Sequence, residues 1–211
     1  MTARPARLAF VSGTGTEVGK TWIAAEVLRQ LRDSRARVAA RKPAQSFGPA
    51  ARLTDADVLA AATGESPHEV CSPHRWYGRA LAPPMAAEAL GKPPFTVDDL
   101  VAELRWPDEI DVGLVEGAGG PRSPLAGDGD NVALARAIDP DTVLLVADPG
   151  LGTINVVRMS VDAFSGIPVV VVLNRYNKDE PVHRANRDWL ASRAGLDILV
   201  GPAAAARWLS P

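Results

Sequence analysis

The stretch that decides the fold is Gly13-Thr14-Gly15-Thr16-Glu17-Val18-Gly19-Lys20-Thr21. An apolar run (residues 8–11) precedes it, and a helical pattern (residues 22–28) follows it. A G-x-x-x-x-G-K-T spacing between a strand and a helix is typical of a phosphate-binding loop. The sequence therefore predicts a site for a nucleoside triphosphate.

The residues of this loop suit phosphate binding for separate reasons. Gly13, Gly15 and Gly19 are expected to adopt positive φ angles, so that the backbone approaches a ligand closely. Their N–H groups and those of the first helical turn would form an anion-binding nest. Lys20 would contact the β and γ oxygens, and Thr21 would place a hydroxyl on Mg²⁺.

Composition excludes several functional classes. The 211 residues suit one α/β domain spanning 1–211. With 23 Lys and Arg against 25 Asp and Glu, no charge pattern favours nucleic acid or an acidic membrane. Cys71 is the only cysteine, and no apolar stretch reaches the roughly 18 residues of a membrane helix. The first five residues run straight into a strand and leave no room for a signal peptide, so we expect a cytoplasmic protein.

Strand patterns alternate with helix patterns along the chain. This alternation predicts an α/β fold of the P-loop NTPase type, with a mostly parallel sheet flanked by helices on both faces. The predicted strands cover residues 8–11, 37–41, 112–115, 142–147, 167–173 and 197–200.

Charged residues follow two of the predicted strands. Lys42 comes after residues 37–41, and Glu116 comes after residues 112–115. Ligands of open parallel sheets bind at the carboxyl ends of strands, so function is favoured for both over a solvated strand end or turn. Asp55 and Asp57 open a helix behind Thr54, and their spacing leaves capping and metal binding equally open.

Five motifs together resemble the dethiobiotin synthetase family. They are the phosphate loop at 13–21, Lys42-Pro43, Val115-Glu116-Gly117-Ala118-Gly119-Gly120, Leu151-Gly152-Thr153-Ile154-Asn155, and Asn174-Arg175. The resemblance implies that 7,8-diaminopelargonic acid, CO₂ and MgATP give dethiobiotin, ADP and phosphate. It also implies a homodimer with active sites at its interface.

The resemblance assigns roles to individual residues. Lys20 and Lys42 would be catalytic, stabilising a carbamate and the transferred phosphoryl group. Mg²⁺ would be held by Thr21, Asp55 and Glu116, with Asp57 as the alternative to Asp55. The nucleotide would contact Thr16, Glu17, Val18, Gly19, Lys20, Thr21, Glu116, Gly119, Asn174, Arg175, Gly201 and Pro202. The diamine end would contact Thr16, Lys42 and Ser46, and the substrate carboxylate would contact Gly152, Thr153 and Asn155 of the partner subunit.

Departures from the family pattern leave the identity of the second substrate open. Gln45 and Phe47 stand where a small residue and a glycine are expected, which would place a ring near the substrate. Val156 replaces a frequent histidine, and Trp22 is bulky for the first helical turn. The alternatives are a related ligase with another acceptor and a nucleotide-dependent switch. No lysine precedes Lys20 in the loop, which disfavours a partitioning ATPase.

Overall fold

Eight strands form two parallel sheets in the computed structural model, which describes residues 4–211. The strands are β1 (Arg7–Gly13), β2 (Val38–Arg41), β3 (Gln45–Ser46), β4 (Trp76–Tyr77), β5 (Val112–Glu116), β6 (Thr142–Ala147), β7 (Val169–Leu173) and β8 (Ile198–Val200). The main sheet has the order β2-β5-β1-β6-β7-β8, and β3 pairs with β4. Residues 1–3 lie outside the described part of the chain. They belong to the N-terminal segment on which the expectation of no signal peptide rests.

Helices cover both faces of the main sheet, as predicted. They are α1 (Lys20–Asp33), α2 (Asp55–Thr63), α3 (Pro67–Val70), α4 (Pro83–Ala89), α5 (Val97–Glu103), α6 (Asn131–Ile138), α7 (Thr153–Ala163), α8 (Pro181–Ser192) and α9 (Gly201–Leu209). Successive β1 side chains point to opposite faces, because a strand alternates with period two. Val11 packs in the cluster that holds α1, α2 and α9, and Phe10 packs in the cluster that holds α5 and α6.

The register of the parallel strands brings the functional strand ends together. Val11 lies opposite Glu116 across the β1–β5 pair, and Arg41 lies opposite Val115 across the β2–β5 pair. The residues that leave these strands are therefore neighbours at one edge of the sheet. That edge carries the phosphate loop, Lys42 and Glu116.

Local capping signals set the helix boundaries close to those expected from the sequence. The Thr54 hydroxyl accepts a hydrogen bond from the backbone N–H of Asp57 at 3.3 Å, and α2 ends at Gly64 with a φ of 88°. Thr96 and Asp130 cap α5 and α6 in the same way. A cap of this kind contributes about 1 kcal/mol to helix stability.

Two features of the fold go beyond the sequence-based expectation. The six predicted strands do not include β3, which contains Ser46, and its pairing with β4 depends on a segment 31 residues further along the chain. Gly201 and Pro202, which follow the last predicted strand and are assigned above to the nucleotide, begin α9, which packs against α1. Among residues 4–211, none of the helices is both long and apolar enough to span a bilayer.

Candidate active site

The phosphate loop joins β1 to α1, but only one of its three motif glycines uses positive φ. Gly19 has a φ of 91°, whereas Gly13 and Gly15 have none, so that expectation is wrong for these two. Gly13 is required for a different reason, because a Cβ there would lie 2.8 Å from the Gly15 carbonyl oxygen. Glu17 takes the other left-handed position of the loop, with a φ of 62°.

Asn174 and Arg175 brace the phosphate loop from the end of β7. The Asn174 Nδ2 donates to the Val18 carbonyl oxygen at 2.9 Å, and its Oδ1 accepts from the Arg175 backbone N–H at 2.9 Å. The Arg175 guanidinium donates to the Glu17 carbonyl oxygen at 3.1 Å. In this structure these residues, expected near adenine, contact the loop backbone, and a contact with the base stays a prediction.

Lys20 is buried beneath the loop and is held in place by it. Its Nζ donates to the Gly15 carbonyl oxygen at 2.9 Å. Burial, together with the nearby charge of Lys42, lowers the pKa of Lys20, while Glu116 and Asp55 oppose this shift. An anion above the loop would relieve this unfavourable burial, because it would supply the opposite charge.

Lys42 lies between two carboxylates at the ends of neighbouring elements. Its Nζ is 2.7 Å from Glu116 Oε1, 2.7 Å from Asp55 Oδ2 and 2.8 Å from the Gly117 carbonyl oxygen. Burial by itself would lower the pKa of Lys42, but the two carboxylates outweigh it and raise that pKa. Lys42 therefore stays a charged group inside the protein.

The two acids that open α2 have different environments. Asp57 accepts from the backbone N–H and the hydroxyl of Thr54, both at 2.8 Å, and so completes a capping box. Asp55 instead faces Lys42, whose charge lowers the pKa of Asp55. The helix start is fixed by Gln45, whose Oε1 accepts from the Ala56 backbone N–H at 3.0 Å.

Three oxygen atoms converge in a way that suits a hard cation. The Thr21 hydroxyl oxygen lies 2.9 Å from both Asp55 Oδ1 and Glu116 Oε1, yet its single hydrogen can bond only one of them. Glu116 Oε2 is buried and has no hydrogen-bond partner among residues 4–211. Burial raises the pKa of Glu116, against the opposing effect of Lys42. Mg²⁺ prefers oxygen ligands, so the residues present fit this metal.

The described residues do not form a complete protein cage for a metal. No group of three or more His, Cys, Asp or Glu side chains among residues 4–211 is arranged to hold one. Mg²⁺ is commonly bound by one or two carboxylates together with substrate phosphates and water. The oxygen set around Thr21 corresponds to that incomplete kind of site.

Asn131 shapes the glycine loop that follows β5. Its Oδ1 accepts from the Ala118 backbone N–H at 2.9 Å, and its Nδ2 donates to the carbonyl oxygens of Ala118 and Gly120 at 2.7 and 2.8 Å. Gly119 has a φ of 69°, and a Cβ there would lie 2.4 Å from the Ser123 hydroxyl oxygen. Sequence reasoning missed Asn131, because a buried asparagine at the start of α6 has no motif of its own.

A cavity of about 980 Å³ opens over these groups. Its lining includes many of the predicted site residues, namely Thr16, Glu17, Gly19, Lys20, Thr21, Lys42, Ser46, Asp55, Gly119 and Arg175. Gly152, Thr153, Asn155, Gly201 and Pro202 are not among its lining residues, and their assigned contacts stay predictions.

The structure places two of the residues that depart from the family pattern, Phe47 and Trp22, in different environments. Phe47 was expected to place a ring near the substrate, but its ring packs edge-on against Trp76, with centroids 6.2 Å apart, and does not line the cavity. The ring therefore has an aromatic partner on β4, and its nearness to a bound substrate stays a prediction. Trp22, Leu53 and Leu81 supply the large apolar groups of the cavity wall instead.

A protein-family model described as an AAA domain matches residues 7–201. Among similar proteins, an ATP-dependent dethiobiotin synthetase BioD of Anaeromyxobacter dehalogenans (strain 2CP-C) is 34% identical over 198 residues, which cover 90% of this chain and 88% of that protein. The proteins of the same name from Haloferax mediterranei and Rhodococcus jostii are 34% and 35% identical, with 91% and 90% of this chain covered and 82% and 83% of theirs.

Solved structures share the fold at low sequence identity. A putative plasmid partition protein of Borrelia burgdorferi bound to AMPPNP has a TM-score of 0.57 at 10% identity, covering 93% of this chain and 86% of that chain. The signal recognition particle receptor FtsY of Elizabethkingia anophelis has a TM-score of 0.54 at 15% identity, covering 93% of this chain and 58% of that chain. At these identities the likeness concerns the fold alone.

Proposed function

This chain belongs to the ATP-dependent dethiobiotin synthetase family, and on that premise we propose that it carboxylates 7,8-diaminopelargonic acid and closes the ureido ring of dethiobiotin. ATP is the second substrate and is converted to ADP and phosphate. The observation that carries the proposal is the position of Lys42, a buried cation that lines the same cavity as the phosphate loop. A family sequence and a buried lysine beside the phosphate loop therefore coincide in one site.

The reaction begins and ends at the diamine, near Lys42. One amine forms a C–N bond with CO₂ and loses a proton, giving a carbamate. The carbamate oxygen takes the γ-phosphoryl group, and ADP leaves. The second amine then attacks the carbamoyl carbon and loses a proton, phosphate leaves, and the ring closes. Lys42 supports the first step, because a fixed positive charge stabilises a carbamate anion.

Phosphoryl transfer is assigned to the loop and Lys20. The transition state spreads negative charge over the transferred group, so positioning and electrostatic stabilisation dominate catalysis. Lys20 lies at the base of the loop, ready to exchange its contact with the Gly15 carbonyl oxygen for a phosphate oxygen. The braces from Asn174 and Arg175 keep the loop backbone in position for this exchange.

Mg²⁺ is assigned to Thr21, Asp55 and Glu116. When bound, it would neutralise part of the negative charge of the phosphate groups. Two observations support this assignment. The Thr21 hydroxyl lies within hydrogen-bond distance of both Asp55 and Glu116 but can donate to only one of them. Glu116 Oε2 has no hydrogen-bond partner among residues 4–211. The same contacts explain the choice of Asp55 over Asp57, since Asp57 is engaged by Thr54.

The rest of the diamino acid is assigned to a path toward α7. Ser46 lines the main cavity, and Thr16 and Ser123 line both the main cavity and a second one of about 530 Å³. The second cavity is also lined by Val156 and Met159 of α7. This continuity supports a substrate tail that reaches the α7 surface, where a partner's Gly152, Thr153 and Asn155 would contact its carboxylate.

The proposed function is tested by product formation. Purified protein is incubated with 7,8-diaminopelargonic acid, ¹³C-bicarbonate, Mg²⁺ and ATP, and the products are read by mass spectrometry. Labelled dethiobiotin formed in a one-to-one ratio with ADP is the expected result. ADP without dethiobiotin would overturn the acceptor, and the absence of both from nucleotide-saturated protein would overturn the enzyme assignment.

A homodimer through α7 makes a separate prediction. Leu151, two residues before α7, and Met159 of α7 are 92% and 65% exposed. Contiguous exposed apolar surface is typical of protein–protein interfaces. Met159→Asp is expected to convert a dimer into a monomer, because it would place a charge in an apolar interface. Light scattering measures the mass. As a matched control, Met85→Asp changes an exposed methionine on α4 and should leave the dimer intact.

The homodimer and the substrate contacts from the partner subunit are two separate predictions, and each can be contradicted by itself. A wild-type protein that is monomeric and active would overturn both. A dimer that survives Met159→Asp would place the interface elsewhere.

A further inference from the structure

Arg122 is the one charged residue among the described residues that line the second cavity. That cavity of about 530 Å³ lies beside the phosphate loop, with Thr14, Gly15 and Thr16 in its wall. Arg122 belongs to the loop that follows β5, and its side chain is 66% exposed. Neither phosphoryl transfer nor carbamate formation has a task for this arginine.

A fixed carboxylate holds one part of the Arg122 guanidinium and leaves another part free. Asp130 Oδ1 accepts from the Ala133 backbone N–H at 2.9 Å, so this carboxylate is anchored at the start of α6. Asp130 Oδ2 accepts from Arg122 Nη1 at 3.1 Å, whereas Nε and Nη2 of Arg122 have no hydrogen-bond partner among residues 4–211. A guanidinium can bind a carboxylate through two parallel N–H groups. Arg122 is therefore positioned and can still bind a second carboxylate.

The wall of the second cavity suits a methylene chain. Val156, Met159 and Ala163 of α7 line it, together with Pro121 and Pro124. Small-molecule sites combine apolar walls with a few polar groups that fix the orientation of the ligand. An apolar wall with one cation therefore matches a ligand made of a methylene chain that ends in a carboxylate.

The second cavity is continuous with the site assigned to the amines. Thr16, Ser123 and Pro124 line both cavities, and Lys42 lines the main one. In 7,8-diaminopelargonic acid the amines lie near one end of a methylene chain and the carboxylate lies at the other. An acceptor whose amines are at Lys42 can therefore extend past Thr16 and Ser123 into the second cavity.

From these observations we propose that Arg122 binds the carboxylate of the acceptor and selects a diamine with an anionic tail over one with an uncharged tail. The proposal rests on the proposed function, because it takes the diamino acid as the acceptor. It adds a cation from the same subunit as Lys42 to the substrate contacts assigned to the partner subunit. Asp130 leaves room for this role, because ion pairs at a protein surface are weak.

The test measures binding of 7,8-diaminopelargonic acid and of its uncharged carboxamide by isothermal titration calorimetry, with Mg²⁺ and without ATP. The wild type is expected to bind the acid about tenfold more tightly than the carboxamide, as for a hydrogen bond to a charged group. Arg122→Ala is expected to weaken binding of the acid about tenfold and to leave binding of the carboxamide unchanged, because only the acid loses a partner. Arg122→Lys keeps the charge but not the paired N–H groups, and is expected to lose about threefold for the acid.

Arg136→Ala is the matched control, because Arg136 is an exposed arginine of α6 that lines neither cavity. It should leave binding of both compounds unchanged. In Arg122→Ala, the affinity for ATP with Mg²⁺ should equal that of the wild type. A preference for the acid that survives in Arg122→Ala would overturn the role of Arg122. An equal loss for the acid and the carboxamide, or a comparable loss of ATP affinity, would overturn it as well.

These binding measurements need no turnover, so they separate this proposal from the proposed function. A wild-type protein that forms labelled dethiobiotin and binds the acid equally well without Arg122 would keep the proposed function and lose only the role of Arg122. A wild-type protein that binds the acid through Arg122 but forms no dethiobiotin would lose the proposed reaction and keep the anion site.

Discussion

Lys20→Ala is expected to lower ADP formation by at least about a hundredfold, as removal of one preorganised charge-stabilising group does in other enzymes. The reason is the place of Lys20 under the phosphate loop, where its ammonium group is assigned to the transferred phosphoryl group. Stability should change little, because the Lys20 side chain makes one hydrogen bond, to the Gly15 carbonyl oxygen, and burial already disfavours its charge. ADP is measured by chromatography and unfolding by differential scanning fluorimetry.

Lys178→Ala provides the control for Lys20→Ala, since Lys178 is an exposed lysine in a turn and does not line the main cavity. Its ADP formation should equal that of the wild type. If Lys20→Ala retained turnover within a few-fold of the control, Lys20 would have no role in phosphoryl transfer, and the loop backbone would have to supply the stabilisation alone.

Lys42→Ala is expected to destabilise the protein by about 3–5 kcal/mol, the usual cost of leaving buried charges without their partner. For a chain of this size, that loss corresponds to a fall of about 10 °C in Tm. Glu116 is the main source of the cost, because its carboxylate is buried and its Oε2 has no partner among the described residues. Dethiobiotin formation should also be lost, since the carbamate would have no fixed counter-charge.

A double variant separates the two effects of Lys42. Lys42→Ala combined with Glu116→Gln removes both charges of the buried pair and is expected to recover part of the lost Tm without restoring product. Lys92→Ala, at an exposed lysine, controls for the loss of a positive charge. An unchanged Tm in Lys42→Ala would show that the interaction between Lys42 and Glu116 contributes nothing to stability.

The Lys42 variant also tests whether Lys20 and Lys42 have different roles. Lys42 lies on the side of Glu116 and Asp55, whereas Lys20 lies under the loop. Measured on folded protein at low temperature, Lys42→Ala should bind ATP within about tenfold of the wild type while forming no product. An equal loss of ATP affinity and of dethiobiotin formation would show that Lys42 acts on the nucleotide rather than on the carbamate.

The sequence by itself determined the class of fold and the chemistry of one edge of the sheet. The loop at 13–21, the alternation of strands and helices, and the helix start behind Thr54 all depend on a few neighbouring residues, so their signals are local. The placement of Lys42 and Glu116 also followed from sequence, because parallel strands end at a common edge. The family relationship was visible for the same reason, since its motifs are short contiguous stretches.

Only the tertiary structure decided which partner each side chain meets. Asp55 and Asp57 are two residues apart and equally suited to capping, and the contacts with Thr54 and Lys42 separate them. Asn174 braces Val18, and Phe47 packs on Trp76, across sequence distances that no local pattern encodes. These choices depend on strand register and on packing between distant segments, and they are fixed only when the whole sheet is assembled.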